Sequence, residues 1–272
     1  MPYSISSGHP VFSTPMYQKD VDLMNVLDRA IRPSAFLLLS DGEDFVAARN
    51  NLKLACWVWT SDNLSKLGLD TVFDLLRIHF AARDAHFTAK PAIADALEIA
   101  FSTIGYMTVS EMQLNACRLD AVSPVPKAGD LRKATREDLD TLYALSDAFH
   151  LEAFGEIRDR DRAHKQVAAW VEEGSTHVLE KDGRVAACIT AESDVYSSAL
   201  VIKQVYTLPE CRNGGCAAWM VAEICRPAVQ QGRHVILYTD KSNPASNAAY
   251  RKAGFRVVGS LTEKKMKKEW NV

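Results

Sequence analysis

The chain has 272 residues, 47% apolar and 24% charged, which suits one large or two modest folded domains and excludes a disordered or low-complexity chain. Asp and Glu number 34 against 32 Lys and Arg, and the net charge of −2 gives no molecule-wide field for gathering nucleic acid or an anionic membrane. No uncharged apolar run nears the roughly 18 residues of a membrane span, and Met1–Thr14 lacks the basic-then-apolar order of a secretory signal. The cysteines (Cys56, Cys117, Cys188, Cys211, Cys216, Cys225) form no C-x-x-C pair and have no His at zinc spacing. They read as reduced thiols of a cytoplasmic protein without a metal.

Along the first half, Val21, Met24, Leu27 and Ile31 have helical spacing. Ala35–Leu39 and Leu52–Trp59 read as short buried strands, with Trp57 and Trp59 on one face as packing residues. Asp70–Ala82 and Lys90–Ile104 read as helices, the second admitting Pro91 in its first turn. Met112–Leu119 reads as a closing strand. None of these segments carries a catalytic signature. In Ser123-Pro124-Val125-Pro126-Lys127-Ala128-Gly129-Asp130 the prolines remove backbone donors, so neither helix nor central strand should pass through. The sequence therefore divides into an N-terminal α/β domain of unknown role, residues 1–125, and a second domain, residues 126–272. The acid excess lies in the first, with 14 acidic against 10 basic side chains, whereas the second has 20 against 22.

The second half is richer in signals. Leu131–Ala134 reads as a strand, and Thr135 with Asp138 three residues on reads as a helix start. Helical stripes follow at Leu139, Leu142, Leu145 and Phe149, and at Ala163, Val167, Trp170 and Val171. Thr176–Glu180 and Val185–Ala191 form a hairpin about Lys181–Arg184, and Ser198–Thr207 is a longer strand. Gly215–Gln231 is an amphipathic helix, Val235–Thr239 a buried strand and Ala245–Ala253 a short helix. Phe255–Ser260 and Thr262–Lys267 read as two final strands. Strand and helix alternate, so the fold class is α/β, a mixed β-sheet flanked by helices. Lys264-Lys265-Met266-Lys267-Lys268 reads as a solvated edge strand. With no basic run and no aromatic platform elsewhere, nucleic acid is not an expected partner, and neither is a membrane.

One turn stands out for chemistry. In Val205-Tyr206-Thr207-Leu208-Pro209-Glu210-Cys211-Arg212-Asn213-Gly214-Gly215-Cys216-Ala217 a strand enters a turn that opens a helix. The first amides of a helix have no internal partner, and the helix dipole makes that end partly positive. Glycines let an anion approach the backbone closely, and Arg212 adds a charge. A Gly-rich turn alone is equally a tight strand-to-helix connection. The dinucleotide pattern G-x-G-x-x-G and the mononucleotide pattern ending Gly-Lys-Ser/Thr are both absent. Further on, Asn243-Pro244 initiates a turn, and Asn247 and Tyr250 share one face of a short helix that stops at Gly254-Phe255.

The spacing Arg212-x-x-Gly215-x-Ala217 resembles the acyl-CoA loop of the GNAT superfamily of N-acetyltransferases, and Asn243 to Phe255 resembles its second signature. The wording is closest to a group of predicted bacterial GNAT acetyltransferases with an extra N-terminal domain. The resemblance covers Leu131 to about Lys267, and one departure is Cys216, where many relatives have Tyr. It implies that the turn from Arg212 through Asn213, Gly214, Gly215, Cys216 and Ala217 holds the pyrophosphate of acetyl-CoA. Val205, Tyr206 and Thr207 would offer backbone groups to the pantetheine arm, and Asn243 and Asn247 would shape its path. Tyr250 becomes the general acid that protonates the departing thiolate.

The acceptor implied is an amine, on a small molecule or a peptide, attacked directly in a ternary complex by a monomer or homodimer. The alternative is a non-catalytic acyl-CoA-binding or sensing module. For the general base, Glu192 ranks first and Glu152 second, against the plainer reading of both, and of Asp194, as surface carboxylates; His150 and His164 are acceptor contacts or helix-face residues. Cys216 is either a thiol activated by the helix start or, preferably, a small packed residue. The N-terminal domain is read as a degenerate copy of the same fold without the cradle.

Overall fold

The computed structural model describes residues 3–81, 83–155, 159–194 and 199–269. In chain order its elements begin with helices α1 (Pro15–Lys19) and α2 (Asn25–Ser34), then strands β1 (Leu37–Ser40), β2 (Phe45–Arg49) and β3 (Cys56–Thr60). Helix α3 (Lys66–Phe80), β4 (Ala85–Ala89), α4 (Pro91–Ser102) and β5 (Tyr106–Leu119) follow. The second half runs β6 (Asp130–Lys133), α5 (Leu139–Phe154), α6 (Arg160–Glu172), β7 (Thr176–Lys181), β8 (Arg184–Ser193) and β9 (Leu200–Thr207). It closes with α7 (Cys216–Gln230), β10 (Val235–Asp240), α8 (Pro244–Ala253) and β11 (Arg256–Lys268). No helix among the described residues is long and apolar enough to cross a membrane.

These elements sort into two compact units, and neither is one continuous stretch. The first comprises Met1–Ala116, Thr239–Ser242 and Val257–Val272; the second comprises Cys117–Tyr238 and Asn243–Arg256. The boundary expected at residue 125 thus falls inside the second unit, because β5 runs across residue 117 and the following segment packs there. Ser123 N–H donates to the Ala253 carbonyl (3.0 Å), and Val125 is buried in that unit's core.

Both units follow one element order. In the first, β1, β2 and β3 are antiparallel neighbours, α3 crosses over to β4, which is parallel to β3, and α4 leads to β5. In the second, β6 to β9 are antiparallel neighbours, α7 crosses over to β10, parallel to β9, and α8 leads on into β11, a strand that belongs to the first unit from Val257 onward. A parallel pair requires such a crossover, and a helix supplies it in both cases. An antiparallel bridge from Ser4 to Leu39 stands in the first unit where β6 stands in the second. The repetition is one of topology, with no matching sequence repeat.

Each core follows from this order. In the first unit α3 and α4 bury Val72, Leu76, Leu97 and Phe101 on Val58 and Phe87. In the second, α7 covers one face of the sheet through Met220, Val221 and Ala222 against Ile189, Ile202 and Leu237. On the opposite face α5 and α6 pack Leu142, Leu145, Val167 and Val171 against Val178 and Cys188. The helix start expected at Thr135 is a capping box: Asp138 accepts from Thr135 N–H (2.7 Å) while Arg132 grips it with two nitrogens. The Arg132 guanidinium, with the Thr135 amide assisting, holds the Asp138 carboxyl down at about 2.

Several elements differ from the sequence reading. Leu52–Trp59 is half turn, with the strand starting at Cys56, while Phe45–Arg49 and Ala85–Ala89 are further strands, both wholly buried. Two expected positions, Ala82 at a helix end and Ser198 at a strand start, lie outside the described residues. The two expected final strands are one, β11, which pairs antiparallel with β4 from Thr262 opposite Ala89 to Met266 opposite Ala85.

Nor is its lysine run a solvated edge, since β11 lies between β4 and β5 and Lys264 is only 2% exposed. The Lys264 ammonium is met by Glu111 (2.9 Å), Asp95 (3.1 Å) and Glu98. Burial alone would lower its pKa, but the three carboxylates outweigh that and hold it above the ordinary lysine value.

Candidate functional site

Strand β9 prepares the site before any side chain is considered. Thr190 of β8 lies opposite Gln204, yet the next residue, Ala191, lies opposite Ile202, so Lys203 is an extra residue in β9. Such a bulge bends the strand that carries it. Pairing of β9 with β10 is confined to Leu200 with Val235 and Val201 with Ile236. Beyond Val201 the edge of β9 turned away from β8 has no strand partner among the described residues. A row of backbone donors and acceptors is thereby left available to a ligand.

After β9, Leu208–Arg212 makes one tight turn and Asn213 and Gly215 adopt left-handed backbone, φ 64 and φ 80. Asn and Gly are the residues that reach this region at least cost, which is why the chain can reverse here directly into α7. Gly215 is the N-cap and contributes no capping side chain. The first helical bond at this end is Trp219 N–H to the Gly215 carbonyl (2.9 Å). Among the described residues no protein acceptor engages the amides of Ala217 or Ala218, and the Cys216 amide is met only by its own sulfur. No acidic side chain stands in the first turn of α7. The Thr207 hydroxyl, at the end of β9, is buried without a hydrogen-bond partner in the structure.

Helix α8 forms the facing wall. The Asn243 carboxamide caps it by accepting from Ser246 N–H (3.0 Å), and Pro244 opens its first turn. It ends at Gly254, φ 110, where Phe255 N–H returns to the Tyr250 carbonyl (3.0 Å). A Cβ at Gly254 would lie 2.6 Å from the Ala121 carbonyl oxygen, so the position excludes a side chain on space as well as on backbone angle. Tyr250 packs edge-on against Phe255 (6.0 Å between centroids), and among the described residues nothing hydrogen-bonds its hydroxyl. Burial, reinforced by the neighbouring Cys117 thiol, pushes its phenol above the ordinary range, so it stays protonated.

These parts meet in one cleft of about 540 Å³. Its lining includes Val205, Tyr206, Thr207, Arg212, Asn213, Gly215, Cys216, Ala217, Asn243 and Tyr250, and also Phe149, Glu152 and Cys211. Gly214 and Asn247 are not part of the lining. The Asn247 carboxamide donates to the Asn243 carbonyl (2.7 Å) and so serves the helix locally.

Arg212 does not stand free at the mouth of the turn. Its guanidinium donates twice to Glu152 (2.8 and 2.9 Å) and once to the Thr207 carbonyl (3.0 Å), and it lies over the Tyr206 ring at 5.4 Å. The Tyr206 hydroxyl donates to the same carboxylate at 2.6 Å. This bond, together with Arg212, holds Glu152 below the usual carboxylate range, while burial and the nearby charge push the Tyr206 phenol up to about 12. A carboxylate so held is a weak proton acceptor.

Glu192, His164 and His150 are not brought to the cleft. Glu192 accepts from the Trp170 indole N–H and lies 3.4 Å from Lys203 Nζ, outside the lining. His164 stacks on Tyr143 (4.3 Å) and bonds Asp147 (3.0 Å), and His150 bonds the Ser146 carbonyl (2.8 Å). Cys216 is buried, its thiol directed to the Cys211 carbonyl (3.6 Å), and burial pushes its pKa up against the opposing charge of Lys181. Both features are those of a packed residue.

Residues 139–255 match the model of the acetyltransferase (GNAT) family. Among solved structures, a GCN5-related N-acetyltransferase from Sphaerobacter thermophilus is similar with a TM-score of 0.62 at 17% identity, covering 97% of this chain and 92% of its own. A GCN5-related N-acetyltransferase from Kribbella flavida gives 0.58 at 13%, with coverage of 94% and 98%. A GNAT-family acetyltransferase from Colwellia psychrerythraea gives 0.57 at 13%, with coverage of 91% and 97%. These likenesses concern the fold and extend over nearly the whole chain. No curated protein sequence matches it.

Proposed function

We propose that the chain transfers an acetyl group from acetyl-CoA to an amine on a small molecule or peptide, by direct attack in a ternary complex, a reading supported by the match of residues 139–255 to the acetyltransferase (GNAT) family model. The observation that carries this reading is the coincidence, in one cleft, of open amides at the start of α7, an unpaired edge of β9 and the unengaged hydroxyl of Tyr250. The residues fit the coenzyme: the Cys216–Ala218 amides suit a diphosphate, and the orphaned Thr207 hydroxyl lacks a partner that a bound ligand would supply.

When bound, acetyl-CoA supplies an acyl thioester susceptible to an amine. The chain's contribution is positional and protonic. The start of α7 holds the anionic end, the freed edge of β9 aligns the amide-bearing arm as a strand would, and Tyr250 donates its phenolic proton to the leaving sulfur. Proton transfer of this kind contributes about 10²–10⁴-fold. Glu152, neutralised by Arg212, is not assigned the amine's proton.

The test is a panel of amines assayed with acetyl-CoA by detection of free thiol, for the wild type and Tyr250→Phe. Turnover that falls about 100-fold or more in the variant, with coenzyme affinity retained, is the expected result. Coenzyme affinity with no turnover on any amine would favour a sensing module, and no affinity would remove the reading altogether.

A further inference from the structure

Among the described residues Arg212 and Lys181 stand at the turn before α7, while Lys252 lines the cleft from α8, and the two at the turn are differently engaged. Arg212 is committed to Glu152, the Thr207 carbonyl and the Tyr206 ring. The ammonium of Lys181, the last residue of β7, has no ion pair or hydrogen bond among the described residues and is exposed, outside the lining of the cleft. Its ammonium lies 3.7 Å from the point where a Cβ on Gly214 would sit, so the glycine leaves the space through which the charge reaches the turn. The hairpin that presents it is held in place: Lys181 pairs with Arg184, and Asp182 and Gly183 take the left-handed backbone (φ 53 and φ 74) of a two-residue turn.

We propose that Lys181, rather than Arg212, is the side-chain cation that binds the diphosphate of the coenzyme above the amides of Cys216–Ala218. The ligand class is a nucleotide-linked diphosphate ester, and the assignment rests on the cleft being an acyl-CoA site. The amides give a diphosphate its geometry and a mobile ammonium adds charge without demanding a fixed angle. Arg212 is then a positioning residue, which neutralises Glu152 at the cleft wall so that the carboxylate does not repel the incoming anion.

Calorimetric titration of the full chain with CoA, ADP and pantetheine at two salt concentrations tests this in the wild type, Lys181→Met and Lys181→Arg. For Lys181→Met we expect about tenfold weaker binding of both CoA and ADP, a flatter salt dependence and unchanged pantetheine binding. Lys181→Arg should return to within about twofold of the wild type. Wild-type protein without CoA affinity would overturn the reading of the cleft itself. Wild-type affinity combined with an indistinguishable Lys181→Met would overturn only the role of Lys181. A loss seen with CoA but not ADP would move the cation to the 3′-phosphate and overturn it likewise.

Discussion

The turn from β3 into α3 and the turn from β9 into α7 hold the same place in the same element order, but their chemistry is opposed. In the first unit Ser65 caps α3 by accepting from Gly68 N–H (3.0 Å), and Ser61 accepts from Asn63 N–H (3.2 Å). Asp62 places a carboxylate in that turn, held by Lys19 (2.7 Å) and Lys90 (2.8 Å), and Lys90 also donates to the Thr60 carbonyl (3.0 Å). Strand β3 pairs with β4 at Cys56, Trp57 and Val58, so only Trp59 and Thr60 of its five residues run past the pairing, against six of the eight residues of β9. In the second unit the cap has no side chain, no acid stands in the first turn, and the bulged strand separates from its neighbour after two pairs. Topology alone therefore does not make an anion site. What decides is whether the protein itself satisfies the first amides and which sign of charge it puts beside them.

Giving the second turn the first turn's charge should have the largest effect. Ala217→Asp should weaken coenzyme binding by at least about 100-fold through repulsion in a partly desolvated cleft. The same substitution should leave thermal stability equal or slightly higher, because an acid near a helix N-terminus favours the helix. Calorimetry and a melting curve on one sample separate the two effects, and a joint loss of binding and fold would count against the argument. Next, removing the first unit's cap by Ser65→Ala should cost about 1 kcal/mol in denaturant unfolding without altering coenzyme affinity.

A smaller effect is expected from Glu152→Gln. Freeing Arg212 from its partner should tighten CoA binding by roughly two- to fivefold at low salt, a gain that shrinks as salt rises. Smallest of all is Asp62→Asn. Bonds from Lys19 and then Lys90 hold this carboxyl at about 2, below its ordinary value of 3.8. Its contribution is therefore full above the ordinary range and is lost as pH falls from about 4 toward 2. Since the side chain is 60% exposed, solvent screens most of the interaction. Stability curves of variant and wild type should differ slightly at pH 7 and converge near pH 2.

Much of the second turn was legible in the sequence because its determinants are local. Arg212, Gly215 and Ala217 lie within six residues of one another, and Asn243, Tyr250, Gly254 and Phe255 within thirteen, so spacing alone registers them. What escaped is held together by distant partners. Arg212 meets Glu152 across 60 residues, and Lys264 meets Glu111 across 153, so neither the occupied guanidinium nor the buried ammonium announces itself in a window of sequence. Lys181 reads only as part of a hairpin turn, since nothing adjacent to it in sequence points to Gly214. Strands β2 and β4 are short and buried throughout, and lack the alternation that marks a half-exposed strand.

Because β11 completes the first unit, that unit is assembled from the two ends of the described chain. A ribosome that has finished Ala116 must add some 140 further residues before Val257 exists, a delay on the order of ten seconds at cellular synthesis rates. Until then β4 waits without its antiparallel neighbour, and Glu98 and Glu111 without the ammonium of Lys264. Removing residues 1–125 would likewise strand β11 and a lysine that has no carboxylates to meet, so the halves of this protein are inseparable by any single cut in the gene.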